Sequence, residues 1–462
     1  MGDLIDMARR LRRGDVEPTQ LVQQAIERIG DDPCGAFAHV DRRGALDRAS
    51  ALGTPPSDAP PLWGIPLADK DLTARAGMPT SYGSRAFVSF VPEHSDPFAL
   101  ALDRLGSVGI GKTSTPEFGL TGYTENLVGP PARNPWQLAT GAGGSSGGAA
   151  VAVSTGVLAA APASDGGGSI RIPAATVGVV GLKPSRGRLP FSNGLDSPGG
   201  LSVAGAITRS IDDAAYFLDA LVGSAQHVHA TRAPRHGPFL DAVRREPASL
   251  RIGVTTTSPW DGWTDTTLDP SARRAYESAG AFLSVAGHEV EELVWDPRGY
   301  PDMFTTIWRA SAARIPIPTE DLDRLAEPLT AWLVREGRAL SAERVLAALQ
   351  AAVTFERETI AAFASYDAVV TPALAMAPQP LGWFTETGDP EENFARQCRY
   401  APHTSFVNVA GLPAITVPVT SVSGERPLSV QVIGRPGGES TILAVAAQLE
   451  AERGALPFPP AP

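Results

Sequence analysis

Two serines on glycine-rich turns and one lysine at the end of an apolar run are the residues best suited by type to nucleophilic chemistry. Ser145 stands in Gly141-Ala142-Gly143-Gly144-Ser145-Ser146-Gly147-Gly148. Ser169, 24 residues further on, stands in Asp165-Gly166-Gly167-Gly168-Ser169-Ile170-Arg171. Successive glycines let the backbone approach a ligand closely and turn several N–H groups one way. Such a nest of donors is what a developing oxyanion needs. A serine nucleophile also needs a base. Lys70 ends the run Gly64-Ile65-Pro66-Leu67-Ala68-Asp69-Lys70-Asp71, where burial would lower its pKa and let it act as a neutral amine.

Two other motifs compete with this set. Gly106-Ser107-Val108-Gly109-Ile110-Gly111-Lys112-Thr113 fits the phosphate-loop pattern letter for letter. That loop needs a strand before it and a helix directly after it. Here the preceding Phe98 to Leu105 reads as a helix, Val108 to Ile110 reads as a strand inside the motif, and Pro116 follows closely. The second motif is G-x-S-x-G, around Ser146 or Ser145. A nucleophile elbow demands an apolar strand leading into the serine, and Trp136-Gln137-Leu138-Ala139-Thr140-Gly141 is not one. The later histidines His227, His229, His236, His288 and His403 carry no distinguishing context. A flexible Gly/Ser linker would explain 141–148, but it does not explain the Asp165 to Arg171 run.

The elements that must carry these residues read as α/β throughout. Residues 1–30 form two amphipathic helices, with Leu4, Ile5, Ala8 and Leu11 on one apolar face and Leu21, Val22, Ala25, Ile26 and Ile29 on the other. From about residue 62, short apolar runs alternate with Gly/Pro turns, as buried strands do. Ala149 to Thr155 reads as a helix followed by a short strand, and Val177 to Leu182 as a strand. Helices are expected over 206–224, 270–287 and most of 317–365. Strands are expected at Arg251 to Val254, Ala414 to Val419 and Leu428 to Ile433, with a last helix at 440–452. Mixed or parallel strand pairing is expected rather than a meander.

Composition narrows the function classes. The chain has 462 residues, 43% of them hydrophobic and 19% charged, which excludes general disorder. Its net charge of −11 argues against nucleic acid or an anionic membrane as partner. Two cysteines, Cys34 and Cys398, exclude a disulfide framework and a Cys-rich metal site and fit a reducing compartment. The acidic N-terminus does not read as a signal peptide, and no apolar block of ~20 residues survives as a membrane span. The expected setting is the cytoplasm. Nothing in the composition calls for a metal or an organic cofactor.

Together the motifs resemble the amidase signature hydrolases, a family with a Ser–cis-Ser–Lys triad. The resemblance runs through Gly64-Ile65-Pro66 with Lys70-Asp71, Gly111-Lys112-Thr113-Ser114-Thr115-Pro116-Glu117, Arg133-Asn134-Pro135-Trp136 and both serine loops. It continues in Gly181-Leu182-Lys183-Pro184, Thr371-Pro372, Gly411-Leu412-Pro413-Ala414 and Val417-Pro418. It implies that Ser169 is the nucleophile, that Ser145, in a cis peptide with Gly144, relays the proton, and that Lys70 accepts it. The N–H groups of Gly166, Gly167, Gly168 and Ser169 would hold the oxyanion, and Ser146, Asp165 and Arg171 would brace the loops. Lys112 would have a structural or rim role.

The resemblance further implies one amidase domain with an α/β/α fold around a large mixed sheet. In it, 1–60 would supply outer helices, 61–250 the catalytic core, 255–400 a mostly helical insertion at the substrate cleft, and 401–455 the last core strands and helix. The implied activity is hydrolysis of a small-molecule carboxamide, as a free-standing amidase acting on linear amides, with a homodimer compatible. The likeness is somewhat closer to members acting on aliphatic and cyclic amides. The alternative is the A subunit of a glutamyl-tRNA amidotransferase, where Gln usually follows the Gly-Ser-Ile-Arg run; here Ile172 does. Two departures from the family pattern are Ser114, where Asn is common, and Gly166, where a bulkier residue is common. Tyr123, Phe304, Trp308, Trp383, Phe384, Phe394 and Tyr400, within or near 120–128, 300–335 and 373–405, are the expected lining of an apolar pocket.

Overall fold

The computed structural model describes residues 3–189, 197–223, 237–245, 248–420 and 425–460. Its strands are β1 (Phe37–Val40), β2 (Pro66–Lys70), β3 (Val108–Thr113), β4 (Ala160–Asp165), β5 (Val180–Lys183), β6 (Val203–Thr208), β7 (Arg251–Val254), β8 (Glu289–Glu292), β9 (Ala368–Pro372), β10 (Ala414–Pro418) and β11 (Ser429–Gly434). Eight of them make the central sheet, in the order β4-β6-β5-β10-β11-β9-β7-β8. The β7 strand runs parallel to β8 and β9, and the remaining pairs are antiparallel. The sheet is therefore mixed, as expected. A second sheet, β1-β3-β2, stands beside it.

Strands covered on both faces are apolar throughout, and β10 (Ala-Ile-Thr-Val-Pro) is buried at every position. Alternation along β11 sends Val430 and Val432 into one core, shared with the helices Ile211–Gly223 and Glu439–Arg453, while Ile433 joins the opposite core. Gln431 falls on the Ile433 side, in register with Thr371 of β9 and Thr416 of β10. A buried polar stripe thus crosses an otherwise apolar sheet face. Alternation also sets β2: Ala68 packs with Ala161 and Ala163 of β4, Lys70 shares that side, and Asp69 turns away to Arg75 at 2.6 Å.

Several sequence readings need correction. The helix expected over 206–224 is Ile211–Gly223, its expected start belonging to β6, and residue 224 lies outside the described residues. The β6 run Val-Ala-Gly-Ala-Ile-Thr pairs on both edges, and that pairing overrides the helical continuation. Val177 closes the helix Arg171–Val177 rather than opening a strand, because Gly178 takes φ 74° and turns the chain into β5. β1 was not anticipated. The 255–400 segment carries the helices Tyr300–Ala312, Pro328–Arg338, Ala342–Phe363 and Pro390–Tyr400, but it also gives β8 and β9 to the central sheet. Among the described residues no helix is long and apolar enough to cross a membrane.

Candidate active site

Lys70, the last residue of β2, is almost wholly buried. Its Nζ lies 2.7 Å from Ser145 Oγ and 3.3 Å from Ser164 Oγ, with the Ser164 carbonyl at 3.5 Å. Among the described residues it makes no ion pair. Burial brings its pKa down to about 7, against a smaller upward pull from the Asp165 carboxylate.

Ser145 follows a cis peptide bond from Gly144, and its carbonyl accepts from Thr115 Oγ1 at 3.0 Å. A Cβ on Gly144 would stand 2.4 Å from the Tyr123 carbonyl oxygen. The glycine run is therefore a demand of close packing rather than a linker. Ser146 ties the two serine loops together: its N–H donates to the Ser169 carbonyl at 3.1 Å, and its hydroxyl to the Ser164 carbonyl at 3.4 Å.

The second loop is wound around one carboxylate. Asp165 accepts from Gly168 N at 2.8 Å and Ile170 N at 3.1 Å, and Arg171 grips it through Nε and Nη2 at 2.9 and 2.8 Å. Burial alone would raise the Asp165 pKa, but the Arg171 guanidinium overrides it and holds the carboxyl well below its usual range. Arg171 is fully buried. Its remaining donors go to the Thr404 carbonyl, Gln431 Oε1 and Asn408 Oδ1, at 2.9, 2.6 and 2.5 Å. All five guanidinium N–H groups are committed, so Arg171 shapes the loop and has no donor left for a substrate.

One expected donor is corrected by this arrangement. The Gly168 N–H points into Asp165 and is not available to an oxyanion. The N–H groups of Gly166, Gly167 and Ser169 have no partner among the described residues. Gly168 takes φ 128°, and a Cβ there would meet Thr404 Oγ1 at 2.4 Å. Ser169 itself stands at the meeting of two clefts, with about 500 and 820 Å³ of empty space, part of it open to solvent. Ser145 and Ser164 reach the larger one; Ile172 and Trp260 line the smaller.

Of the seven aromatics expected at the pocket, Phe304, Trp308 and Phe394 line the smaller cleft. Tyr123, Trp383, Phe384 and Tyr400 do not. They form a cluster of their own, with Tyr123 stacked on Phe384 at 4.7 Å and Phe384 edge-on to Tyr400 at 5.6 Å. At Gly166 a Cβ would make only ordinary van der Waals contacts, at 3.8 Å, with the Trp308 ring and Ser202.

The residues missed by sequence reading are Ser164, Trp260, Thr404, Asn408 and Gln431. A polar residue inside an apolar run was the available signal for Asn408 (Ser405-Phe406-Val407-Asn408-Val409) and for Gln431 (Val430-Gln431-Val432). Lys112 is fully buried and donates to the Thr73 carbonyl, and β3 runs through the phosphate-loop match with no helix directly after it. His288 and His403 bond elsewhere, while His227, His229 and His236 lie outside the described residues. Among the described residues no three His, Cys, Asp or Glu side chains cluster as metal ligands.

A family model described as Amidase matches residues 20–443. A relative from Synechocystis sp. (strain ATCC 27184 / PCC 6803 / Kazusa) that carries an amidase name is 32% identical over 457 residues, covering 96% of this chain and 87% of its own length. Among solved structures, 6-aminohexanoate cyclic dimer hydrolase complexed with substrate superposes with a TM-score of 0.87 at 27% identity, covering 98% of this chain and 97% of its own. A crystal structure of an amidase gives a TM-score of 0.81 at 29% identity, covering 98% of this chain and all of its own.

Proposed function

The chain belongs to the amidase family and hydrolyses a carbon–nitrogen amide bond; from that premise we propose that Ser169, Ser145 and Lys70 carry out the reaction. The carrying observation is the 2.7 Å contact between Lys70 Nζ and Ser145 Oγ, made by a buried lysine held near neutrality. Ser169 Oγ attacks the amide carbonyl carbon. Its proton passes to Ser145, whose own proton passes to Lys70. The negative charge arising on the carbonyl oxygen is taken by the N–H groups of Gly166, Gly167 and Ser169. Collapse breaks the carbon–nitrogen bond, and the departing amine receives the proton returned through Ser145. Water then attacks the acyl-Ser169 ester, giving up a proton along the same route. That proton returns to Ser169 Oγ as the ester bond breaks, and the acid formed ionises and leaves as a carboxylate.

Ser146, Asp165 and Arg171 act as positioning residues that hold the two loops at this geometry. The two clefts meeting at Ser169 suit a linear amide, with the acyl group in one and the leaving amine in the other. Two buried, unpaired cysteines, Cys34 and Cys398, support work in a reducing compartment such as the cytoplasm. The test is release of ammonia or amine from acetamide, benzamide, hexanamide, an amino-acid amide and an anilide by the wild type and Ser169→Ala. Turnover lost in the variant supports the reading, and turnover retained in it contradicts the reading.

A further inference from the structure

The smaller cleft beside Ser169 contains a hydroxyl that can only donate. Ser405 Oγ accepts from Tyr300 Oη at 2.8 Å and from Trp260 Nε1 at 3.2 Å. A serine oxygen has two lone pairs, and both are occupied. Both donors are held in place by packing: Tyr300 and Trp260 are buried and meet edge-on at 5.3 Å. The Ser405 O–H itself finds no acceptor among the described residues. Ser405 lines the cleft next to the oxyanion loop, with its Cβ 3.8 Å from where a Cβ on Gly167 would stand.

Of the other polar side chains lining that cleft, Ser169 is the nucleophile under the amidase reading, and Trp308 Nε1 is a buried donor with no partner among the described residues. Thr121 and Gln397 are engaged within the protein. Thr121 Oγ1 donates to the Tyr123 carbonyl, while Gln397 accepts from Gly122 N and donates to Asn393. Among the described residues the only titratable group lining it is the Cys398 thiol, which burial keeps protonated. A charged group entering there would lose its hydration with no counter-charge to replace it. A neutral group with an acceptor atom would instead satisfy a side-chain donor left over beside the oxyanion loop, the Ser405 hydroxyl.

We propose that this cleft takes an uncharged, aromatic-sized part of the amide substrate, and that Ser405 donates a hydrogen bond to an acceptor atom on it. The inference rests on the amidase reading of Ser169, and Ser405 is a specificity-determining residue under it. Phe304, Trp308 and Phe394 supply the apolar walls, and the Ser405 hydroxyl selects within the neutral compounds that fit them.

The test measures binding of phenylacetamide and its three pyridyl isosteres to the full-length Ser169→Ala variant by tryptophan fluorescence, with the ring nitrogen uncharged. At least one pyridyl isostere should bind about 2- to 12-fold more tightly than phenylacetamide, the range of one net hydrogen bond. Adding Ser405→Ala should abolish that ratio. Adding Tyr300→Phe, which frees a lone pair but leaves the donor, should reduce it without abolishing it. The inference is overturned if no isostere binds more tightly, if the ratio survives Ser405→Ala, or if none of the four amides binds. Hydrolysis of these amides by Ser169→Ala would instead overturn the catalytic reading, whatever the binding ratio.

Discussion

Lys70 Nζ and Ser145 Oγ are 2.7 Å apart across 75 residues of chain, and no carboxylate lies within ion-pair distance of that lysine among the described residues. A lysine paired with an acid would stay charged and could not take a proton. A buried lysine facing serines is instead shifted to about 7, where it can exchange protons near neutral pH.

The pH dependence follows from this. The neutral amine is the base, so kcat/KM should rise as pH increases through about 7 and then level off. Lys70→Ala should lower kcat by about 10²–10⁴-fold and remove the rise. Steady-state kinetics across the pH range on any turned-over amide gives the profile.

The same burial has a cost in stability. The folded chain releases the Lys70 proton near 7 and the unfolded chain near 10.5, so between those values the unfolded state holds the extra proton. Stability contributed by this group therefore rises with pH across that window. Lys70→Met should be inactive yet more stable than wild type at neutral pH, with its advantage shrinking as pH rises toward 10.5. Urea unfolding of both proteins at several pH values checks this.

Asp165 and Arg171 form a fully buried pair. Removing either alone strands a charge, so Asp165→Asn or Arg171→Met should each cost about 3–5 kcal/mol. The double variant should cost less than the sum of the two. The Asp165 pKa is depressed on folding, so its contribution is present above the ordinary carboxylate range and fades as pH falls below it. Thermal unfolding of the three variants tests the coupling.

How far the chain could be read from sequence depended on how local each feature is. The serine loops were legible because glycines and serines crowd into two short runs, and Lys70 because it ends an apolar strand. Gln431 and Asn408 meet Arg171 across 260 and 237 residues, a separation that local pattern does not encode. The family resemblance implies the Gly168 N–H as an oxyanion donor, whereas the Asp165 carboxylate turns inward and takes it. Tyr123, Phe384 and Tyr400 have the composition of a pocket wall, yet they pack against one another. Trp260, inside the expected 255–400 insertion but outside 120–128, 300–335 and 373–405, takes a place at the cleft.

That division of aromatics is itself testable. Phe384→Leu should lower stability by about 1–3 kcal/mol and leave the rank order of amide substrates as it is. Phe304→Leu should change the rank order, because Phe304 borders the cleft at Gly167. Comparing kcat/KM over the same amide panel for both variants separates the two roles.

The most direct test of the account is to find where the acyl group goes. Wild-type protein quenched during turnover of a slowly deacylating substrate should carry one acyl group on the peptide containing Ser169, seen by mass spectrometry, and Ser169→Ala should carry none. An adduct on Ser145 or Ser146, or the same adduct in Ser169→Ala, would contradict the assignment of Ser169 as nucleophile.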